Sequence, residues 1–513
     1  MKIEYVCHSC VYIETPDTNL IFDPWFNGSA YQNQWQVFPK PLNIDMIGKV
    51  RNVLISHGHE DHLHENTLKL FPKDVNMFYP FQWRKGAKKF FRNLGFHQLT
   101  EAISFRTYQL SDSTSITYIS FALESVIVVE FNNMVIVNIN DALNSHHQNV
   151  VDVFLKEIKM RWPKIDYLIA GWAGAGYFPN KVRFKTKNDL EVGVLREQYF
   201  ANQLCKIIFE LKPNNIIPLL PGFALLQPEN LWINEVKFPR SKFQKYYETF
   251  FDSKNKSQFH IMLPADVLDQ DGLHTISSYH QETIHGELNH LLSIQYKDEM
   301  VAAAAIHWID HLTMIKLLND LLKLMNANMS LYDKSILETL HFSIIIKNRE
   351  SNNIFSIFHS VTGFIGEITS EITKDSLLSI STSSDLLFHS IENEWGGDVL
   401  TIGYGVEVDV FEEATLELNL DIVCVRLISR FPRTKDEVKK NPMRLIKYYY
   451  NNPMLAKLAI KQKLALRKLV NKIPYNERDH WISYTKCELC MVCNLPLLSY
   501  EFGENLKVEE IKI

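Results

Sequence analysis

The sequence predicts an α+β protein: two β-sheets sandwiched between helices, then an α+β accessory domain, then a basic helical tail that contains cysteines. Three observations predict it. Short β-branched runs come in two blocks, each followed by helical stretches. The texture changes beyond about residue 275. Ten Lys or Arg, with no acid among them, lie between Lys439 and Lys472. A chain of 513 residues is too long for one hydrophobic core. The expected division is 1–270 as catalytic domain, 275–430 as accessory domain and 435–513 as tail.

The first sixty residues read as a β-meander with runs at 2–6, 10–14, 19–22 and 52–55, split by turn residues such as Pro16-Asp17. Residues 65–100 read as more helical, with a basic face of Arg84, Lys85, Lys88 and Lys89. Strands return from 104 to 137, notably 126–131 and 134–139 around the turn Asn132-Asn133. A helix at 149–159, a strand at 167–170, a helix at 191–211 and a strand at 216–220 follow. The second region opens helical, including 300–326, turns strand-rich from 340 to 358, and ends in glycine-bearing Trp395-Gly396-Gly397-Asp398 and Thr401-Ile402-Gly403-Tyr404-Gly405. The segment 454–472 has helical periodicity.

Composition sets the class. Hydrophobic residues are 46% and charged residues 22%, the balance of a globular protein rather than a disordered one. A net charge of −5 gives no whole-chain argument for a nucleic-acid partner, and none is expected. The chain reads from Met1 directly into a strand without a signal-peptide pattern. No uncharged apolar run approaches the ~20 residues that span a bilayer. Seven cysteines, an odd number, fit a reducing compartment better than a disulfide framework, so a cytoplasmic location is expected.

The strongest local signal is Ile55-Ser56-His57-Gly58-His59-Glu60-Asp61-His62-Leu63-His64, directly after the apolar run Val53-Leu54-Ile55. A strand ending in a tight loop can aim His57 and His59 at one metal ion and turn Asp61 and His62 toward a neighbouring one. Imidazoles and a carboxylate suit zinc, iron or manganese, and a pair of such ions activates water or oxygen.

His-x-His-x-Asp-His after a strand and a β-meander resembles the signature of the metallo-β-lactamase superfamily. Asp23-Pro24-Trp25 looks like its Asp-Pro turn, and Asn138-Ile139-Asn140-Asp141 like the strand that ends in its bridging aspartate. The resemblance covers residues 1–230 and implies an αββα sandwich with Asp61 and His62 as catalytic residues. In finer detail this half is similar to the metallo-β-lactamase part of the CMP-N-acetylneuraminate hydroxylases. That likeness is carried by the same motifs, by Ala173-Gly174-Ala175-Gly176-Tyr177-Phe178-Pro179 and by residues 218–228. The resemblance gives Asp141 the bridging role; on its residues alone, Asp141 also reads as a turn aspartate.

Two histidines that the resemblance implies are missing. None lies between His97 and Asp141, and the nearest ligand-type residue is Glu124, just before the strand at 126–131. Glu124 reads equally as a ligand or as a strand-end glutamate. As a ligand it resembles the glutamate of some oxygen-activating members, and it hardens the site toward iron or manganese. After the strand at 216–220, Gln227 stands where the hydroxylase likeness puts histidine, which leaves the second metal weakly held. His146 and His147 are candidate substitutes, though adjacent histidines in a polar loop are more often solvated.

Four further signals remain open. Ala170-Gly171-Trp172-Ala173-Gly174-Ala175-Gly176 reads as a close approach to phosphate or sugar, or as a plain strand-to-loop turn. Cys487, Cys490 and Cys493 have the spacing to hold zinc or an iron–sulfur cluster, with Cys424 or His480 as a fourth ligand, but not that of a Rieske centre. Cys7-His8-Ser9-Cys10 also has ligand spacing, but alternation on the first strands favours buried core thiols. The basic segment, with Leu455, Leu458, Ala465 and Leu469 on one side, reads as a contact for anionic lipid, phosphate or an acidic redox partner, or as a docked helix with a solvated face.

The expectation is a metal-dependent oxidoreductase, a non-haem (di)iron oxygenase that hydroxylates a small nucleotide- or carrier-activated substrate. Its metal core is His57, His59, Asp61, His62, Asp141 and Glu124, holding two metal ions, iron rather than zinc. Trp172, Tyr177 and Gln227 line the substrate. Electrons come from a separate donor protein or through the cysteine cluster. The alternatives are a metallo-hydrolase of esters, lactones or phosphodiesters, and a non-catalytic domain that has lost its metals.

Overall fold

The computed structural model of the chain describes residues 1–81, 86–121, 124–143, 148–171, 175–183, 189–219, 222–305, 309–332, 334–347, 353–411, 420–431, 441–450 and 453–470. Strand alternation builds its central layers. In the strand Glu124–Phe131, Ile127 and Val129 face the opposite sheet, while Val126 and Val128 face helices. With both faces covered, the strand is a near-continuous apolar run instead of an alternating one.

The first sheet has eight strands, in the order Gly272–His274, Val267–Asp269, Lys2–Cys7, Cys10–Glu14, Asn19–Phe22, Asn52–Leu54, Asn76–Pro80 and Leu99–Ala102. The second has seven: Gln258–Phe259, Asn215–Leu219, Tyr167–Gly171, Met134–Asn140, Glu124–Phe131, Thr114–Phe121 and Thr107–Gln109. Between them lies a core that includes Ile3, Ile13, Leu20, Phe22 and Leu54 from one sheet and Ile116, Ile127, Ile136, Ile169 and Ile217 from the other. Helices Gln148–Arg161, Asp189–Leu211 and Arg240–Phe250 cover the outer face of the second sheet. The outer face of the first sheet is covered by the helix Ala87–Asn93, by Leu68 and Phe71, and by aromatics such as Trp25 and Trp35. The result is an αββα sandwich.

A third sheet of six strands runs Val182–Arg183, Glu407–Val410, Leu378–Ser383, His341–Lys347, Asn353–Ser360 and Gly363–Thr369. The helices His311–Asn328, Ser384–Glu392 and Leu420–Leu427 share its apolar core. Residues 177–183 belong to this body by packing: Tyr177, Phe178 and Val182 lie in its core, and Val182 pairs with Val408.

Most sequence-predicted elements are present within a residue or two. The hairpin turn Asn132-Asn133 has positive φ at both positions (46° and 66°), which asparagine tolerates. The helical reading of 65–100 is corrected: short helices at Glu65–Leu68 and Ala87–Asn93 flank the strand Asn76–Pro80, which pairs in parallel with Asn52–Leu54. The helix predicted at 300–326 is two helices, Lys297–Ala303 and His311–Asn328, the second started by an Asp310 side chain that caps Thr313 N. The basic helix Pro453–Val470 docks, with Leu455 and Leu458 buried against the covering helices and Lys461 paired to Glu157. Its first half therefore follows the docked reading. No helix of the described residues is long and apolar enough to cross a membrane.

Asp421, at the start of the helix Leu420–Leu427, is fully buried, and burial pushes its pKa up to about 7. The folded chain thus keeps a proton on Asp421 up to about pH 7, whereas the unfolded chain releases it near pH 4. Stability is therefore lost as pH rises from about 4 through 7. Asp421→Asn is expected to be more stable than wild type by roughly 4 kcal/mol at pH 8 and by less than half of that at pH 5, read from urea unfolding. An equal gap at both pH values would contradict this assignment.

Candidate metal centre

Parallel neighbours end at the same edge, and that geometry builds the site. Asn19–Phe22 and Asn52–Leu54 run parallel, so Asp23 and Ser56-His57 leave the first sheet together. Met134–Asn140 delivers Asp141 from the second sheet. The register Ile127↔Asn138, continued along the hairpin, sets Glu124 across from Asp141.

The ligand-type side chains converge in three overlapping groups: His57, His59 and Glu124; His57, His62 and Asp141; and His8, Asp61 and His62. Within each group one donor atom per residue lies within 4.8 Å of the others. His57 Nε2 is 2.8 Å from His59 Nδ1, and His62 Nε2 is 3.2 Å from a carboxylate oxygen of both Asp61 and Asp141. All six residues of the sequence-predicted metal core are thus brought together.

The remaining ring nitrogens are held from behind. His57 Nδ1 is 2.9 Å from Ser56 Oγ, and His62 Nδ1 is 3.3 Å from Asp23 Oδ2. Such support fixes ring orientation and leaves Nε2 facing the cluster, as the residues behind metal ligands do. Asp23 is fully buried and accepts from Ser56 N and Ser56 Oγ, both at 2.7 Å, and from Asn140 Nδ2. Asp61 accepts from Tyr31 Oη at 2.6 Å on one oxygen and faces His8 Nε2 at 3.0 Å with the other. His62 Nε2 is buried and makes no aligned hydrogen bond despite its two carboxylate neighbours. An orphaned nitrogen among imidazoles and carboxylates fits a divalent cation.

The electrostatics fit as well. Burial lowers the pKa of His57 well below the usual imidazole value, and charge on His62 and His59 lowers it further. Burial opposes charge on His62 too, but Asp61 and Asp141 overcome it and hold its pKa well above the usual value. Burial works against an ionised Asp61, yet His62 and His8 hold its pKa well below the carboxylate range. Burial of its carboxyl, with the charge of Asp141, pushes Glu124 up to about 8.

Sequence reasoning missed His8 and Tyr31. His8 sits between Cys7 and Cys10, and attention to the thiols hid the histidine. Both cysteines are buried core residues, with Cys7 Sγ donating to Trp25 O. Tyr31 lies in a loop with no local motif. The accessory body also reaches this shell: Gln34 Nε2 donates to Tyr31 O and to Val399 O, and Asp398 feels Asp61 and Glu60. Burial first, then those two carboxylates, push Asp398 up to about 7.

Two of the three residues expected to line substrate, Tyr177 and Gln227, are placed elsewhere. Tyr177 is buried in the core of the third sheet. Gln227 lines a cleft with Lys181, Glu229, Lys347 and Glu407, where Lys347 pairs with Glu229 and Lys181 with Glu407. Cys424 is buried, and burial holds its thiol well above the usual range. Trp172, His146, His147, His480, Cys487, Cys490 and Cys493 lie outside the described residues.

Residues 2–152, which carry most of these ligand-type side chains, match a family model described as Beta-lactamase superfamily domain. Over 71 residues the chain is 34% identical to the cytidine monophosphate-N-acetylneuraminic acid hydroxylase of Cricetulus griseus, and equally to that of Mus musculus. The same length is 32% identical to the inactive human protein. These matches span 14% of this chain and only 12–14% of each relative. Among solved structures, isothiocyanate hydrolase from Delia radicum gut bacteria aligns at 13% identity and TM-score 0.35, covering 52% of this chain and 98% of that one. Zinc-bound PqqB from Methylobacterium extorquens aligns at 11% identity and TM-score 0.30, covering 51% and 85%.

Removing the Asp23 carboxylate strands buried donors on Ser56, Asn140 and His62 together. Asp23→Ala is expected to cost about 3–5 kcal/mol in urea unfolding, the cost of breaking a buried charged network. Asp23→Asn, which keeps one acceptor, is expected to fall in between. A loss under about 1 kcal/mol for Asp23→Ala would show that the network is not what holds these strand ends.

Proposed function

We propose that the chain is a metal-dependent oxidoreductase, a non-haem iron oxygenase acting on a small substrate. One observation carries the reading: His57, His59 and Glu124 form a group of two imidazoles and one carboxylate on one side of the cluster. Two histidines and one carboxylate with open positions are the donor set of non-haem iron(II) oxygenases, and the carboxylate makes the set harder than three imidazoles. Iron bound there supplies dioxygen chemistry. His57 and His59 bind through nitrogens that burial keeps neutral. Asp141 faces both His57 and His62 and stands between the two halves of the cluster. Asp61 and His62 belong to the second half. Support also comes from the stretch similar to the hydroxylases named above, which covers too little of them to carry their substrate over.

Among the described residues, the Asp141 side chain is 35% exposed while His57 and His62 are buried, so in this reading substrate approaches past Asp141. In this reading electrons come from a separate donor protein or through Cys487, Cys490 and Cys493, which lie outside the described residues.

Elemental analysis of protein purified without added metal is the test. Iron is expected in wild type, lost from the first group in Glu124→Ala and His59→Ala, and exchanged toward zinc in Glu124→His. Zinc in the wild-type site, with no dioxygen uptake on adding iron(II) and a reductant, would turn the assignment to a hydrolase using a metal-bound hydroxide.

A further inference from the structure

The second half of the cluster raises a question of ligand number. Asp61, His62 and Asp141 face it, and Gln227, which the hydroxylase likeness sets in the place of a further ligand, is turned to the cleft beside Lys181 and Lys347. Among the described residues this leaves the second half one ligand short unless another element supplies it.

His8 stands at that vacancy in the donor set. Its Nε2 is 3.0 Å from Asp61 Oδ2, its ring centroid is 5.5 Å from that of His62, and the three residues form one of the groups with donor atoms within 4.8 Å. The ring is buried and set edge-on against Trp25, with centroids 5.0 Å apart. Nδ1 has no hydrogen-bond partner among the described residues, so the ring's polar engagement is through Nε2, on the side of the cluster.

The backbone is shaped to hold the ring there. His8 occupies the turn between paired Cys7 and Cys10 with φ +44°, a conformation that favours glycine or asparagine. The chain that follows Asn215–Leu219 closes directly over it. A Cβ at Gly222 would lie 2.3 Å from His8 Cα, so only glycine allows the approach. Asp61 does not need His8 for its own placement, because Tyr31 Oη already holds its other oxygen at 2.6 Å.

We infer that His8 is a ligand of the second metal ion, completing with Asp61, His62 and Asp141 a site for a divalent cation. The inference rests on the metal-centre reading above. It makes the turn between Lys2–Cys7 and Cys10–Glu14, remote in sequence from the histidine motif, part of the metal-binding machinery.

The test is anaerobic titration of chelator-stripped protein with iron(II) alone, and separately with cobalt(II) as a spectroscopic probe. Bound metal is counted after gel filtration. Wild type is expected to hold two equivalents and His8→Asn one, with the cobalt absorption of one site lost. Asparagine accepts the positive φ, so this variant keeps the turn. His8→Gln separates ligation from positioning: its amide can still donate to Asp61, so two equivalents there would overturn the assignment, and one supports it. One equivalent in wild type that survives His8→Asn would overturn His8 alone. Wild type that binds no metal would overturn the metal-centre reading itself.

Discussion

Everything at the site hangs on one buried carboxylate. Asp23 ends a strand of the first sheet, takes two hydrogen bonds from Ser56 at the end of the neighbouring strand, and takes a third from Asn140 at the end of a strand in the second sheet. Its own amide donates to Leu54 O. A carboxylate without water is tolerable only when its oxygens are fully engaged. The engagement here pins the edges of both sheets to each other, and the same oxygen that meets Ser56 Oγ lies beside His62 Nδ1. Fold and ligand orientation are therefore one constraint.

From that anchor the cluster divides. His57 and His59 turn toward Glu124; Asp61 and His62 turn toward His8. Asp141, the most exposed of the carboxylates, faces the gap between them. The chemistry of the two halves differs in kind. The first has neutral imidazoles and a carboxylate whose ionisation is delayed to about 8 by burial and Asp141. The second has an imidazole and a carboxylate that hold each other charged. A cation held there would stand in for the proton of His62 and offset the desolvation of Asp61 and Asp141.

The accessory body is part of this shell rather than a bystander. Its loop at 396–405 packs on Tyr31 and Gln34, leaving no room for a side chain at Gly403 or Gly405, and Gln34 bridges the two bodies through Val399 O. Tyr31 in turn holds Asp61. That approach accounts for Gly403, whereas Gly396 presses on the backbone of His389 and Ser390 and Gly397 on the ring of Phe431.

Legibility followed sequence distance. His57 to His62 could be read because one loop carries them all, and Glu124 and Asp141 only through the family resemblance, which implies a ligand near each of those places. His8 could not, since it meets Asp61 from 53 residues away, and Asp398 comes from further still. The strand Asn76–Pro80 was hidden because five residues ending in proline carry little periodicity, and pairing with Asn52–Leu54 decides their conformation. Gln227 and Tyr177 were read as lining substrate from position in a motif, whereas packing against the third sheet directs them elsewhere. The most direct test of the whole account is a crystal structure of metal-loaded protein with anomalous scattering recorded at the metal edge. Two peaks are expected, one among His57, His59 and Glu124 and one among His8, Asp61 and His62, both adjoining Asp141. A single peak, or metal held away from these side chains, would contradict it.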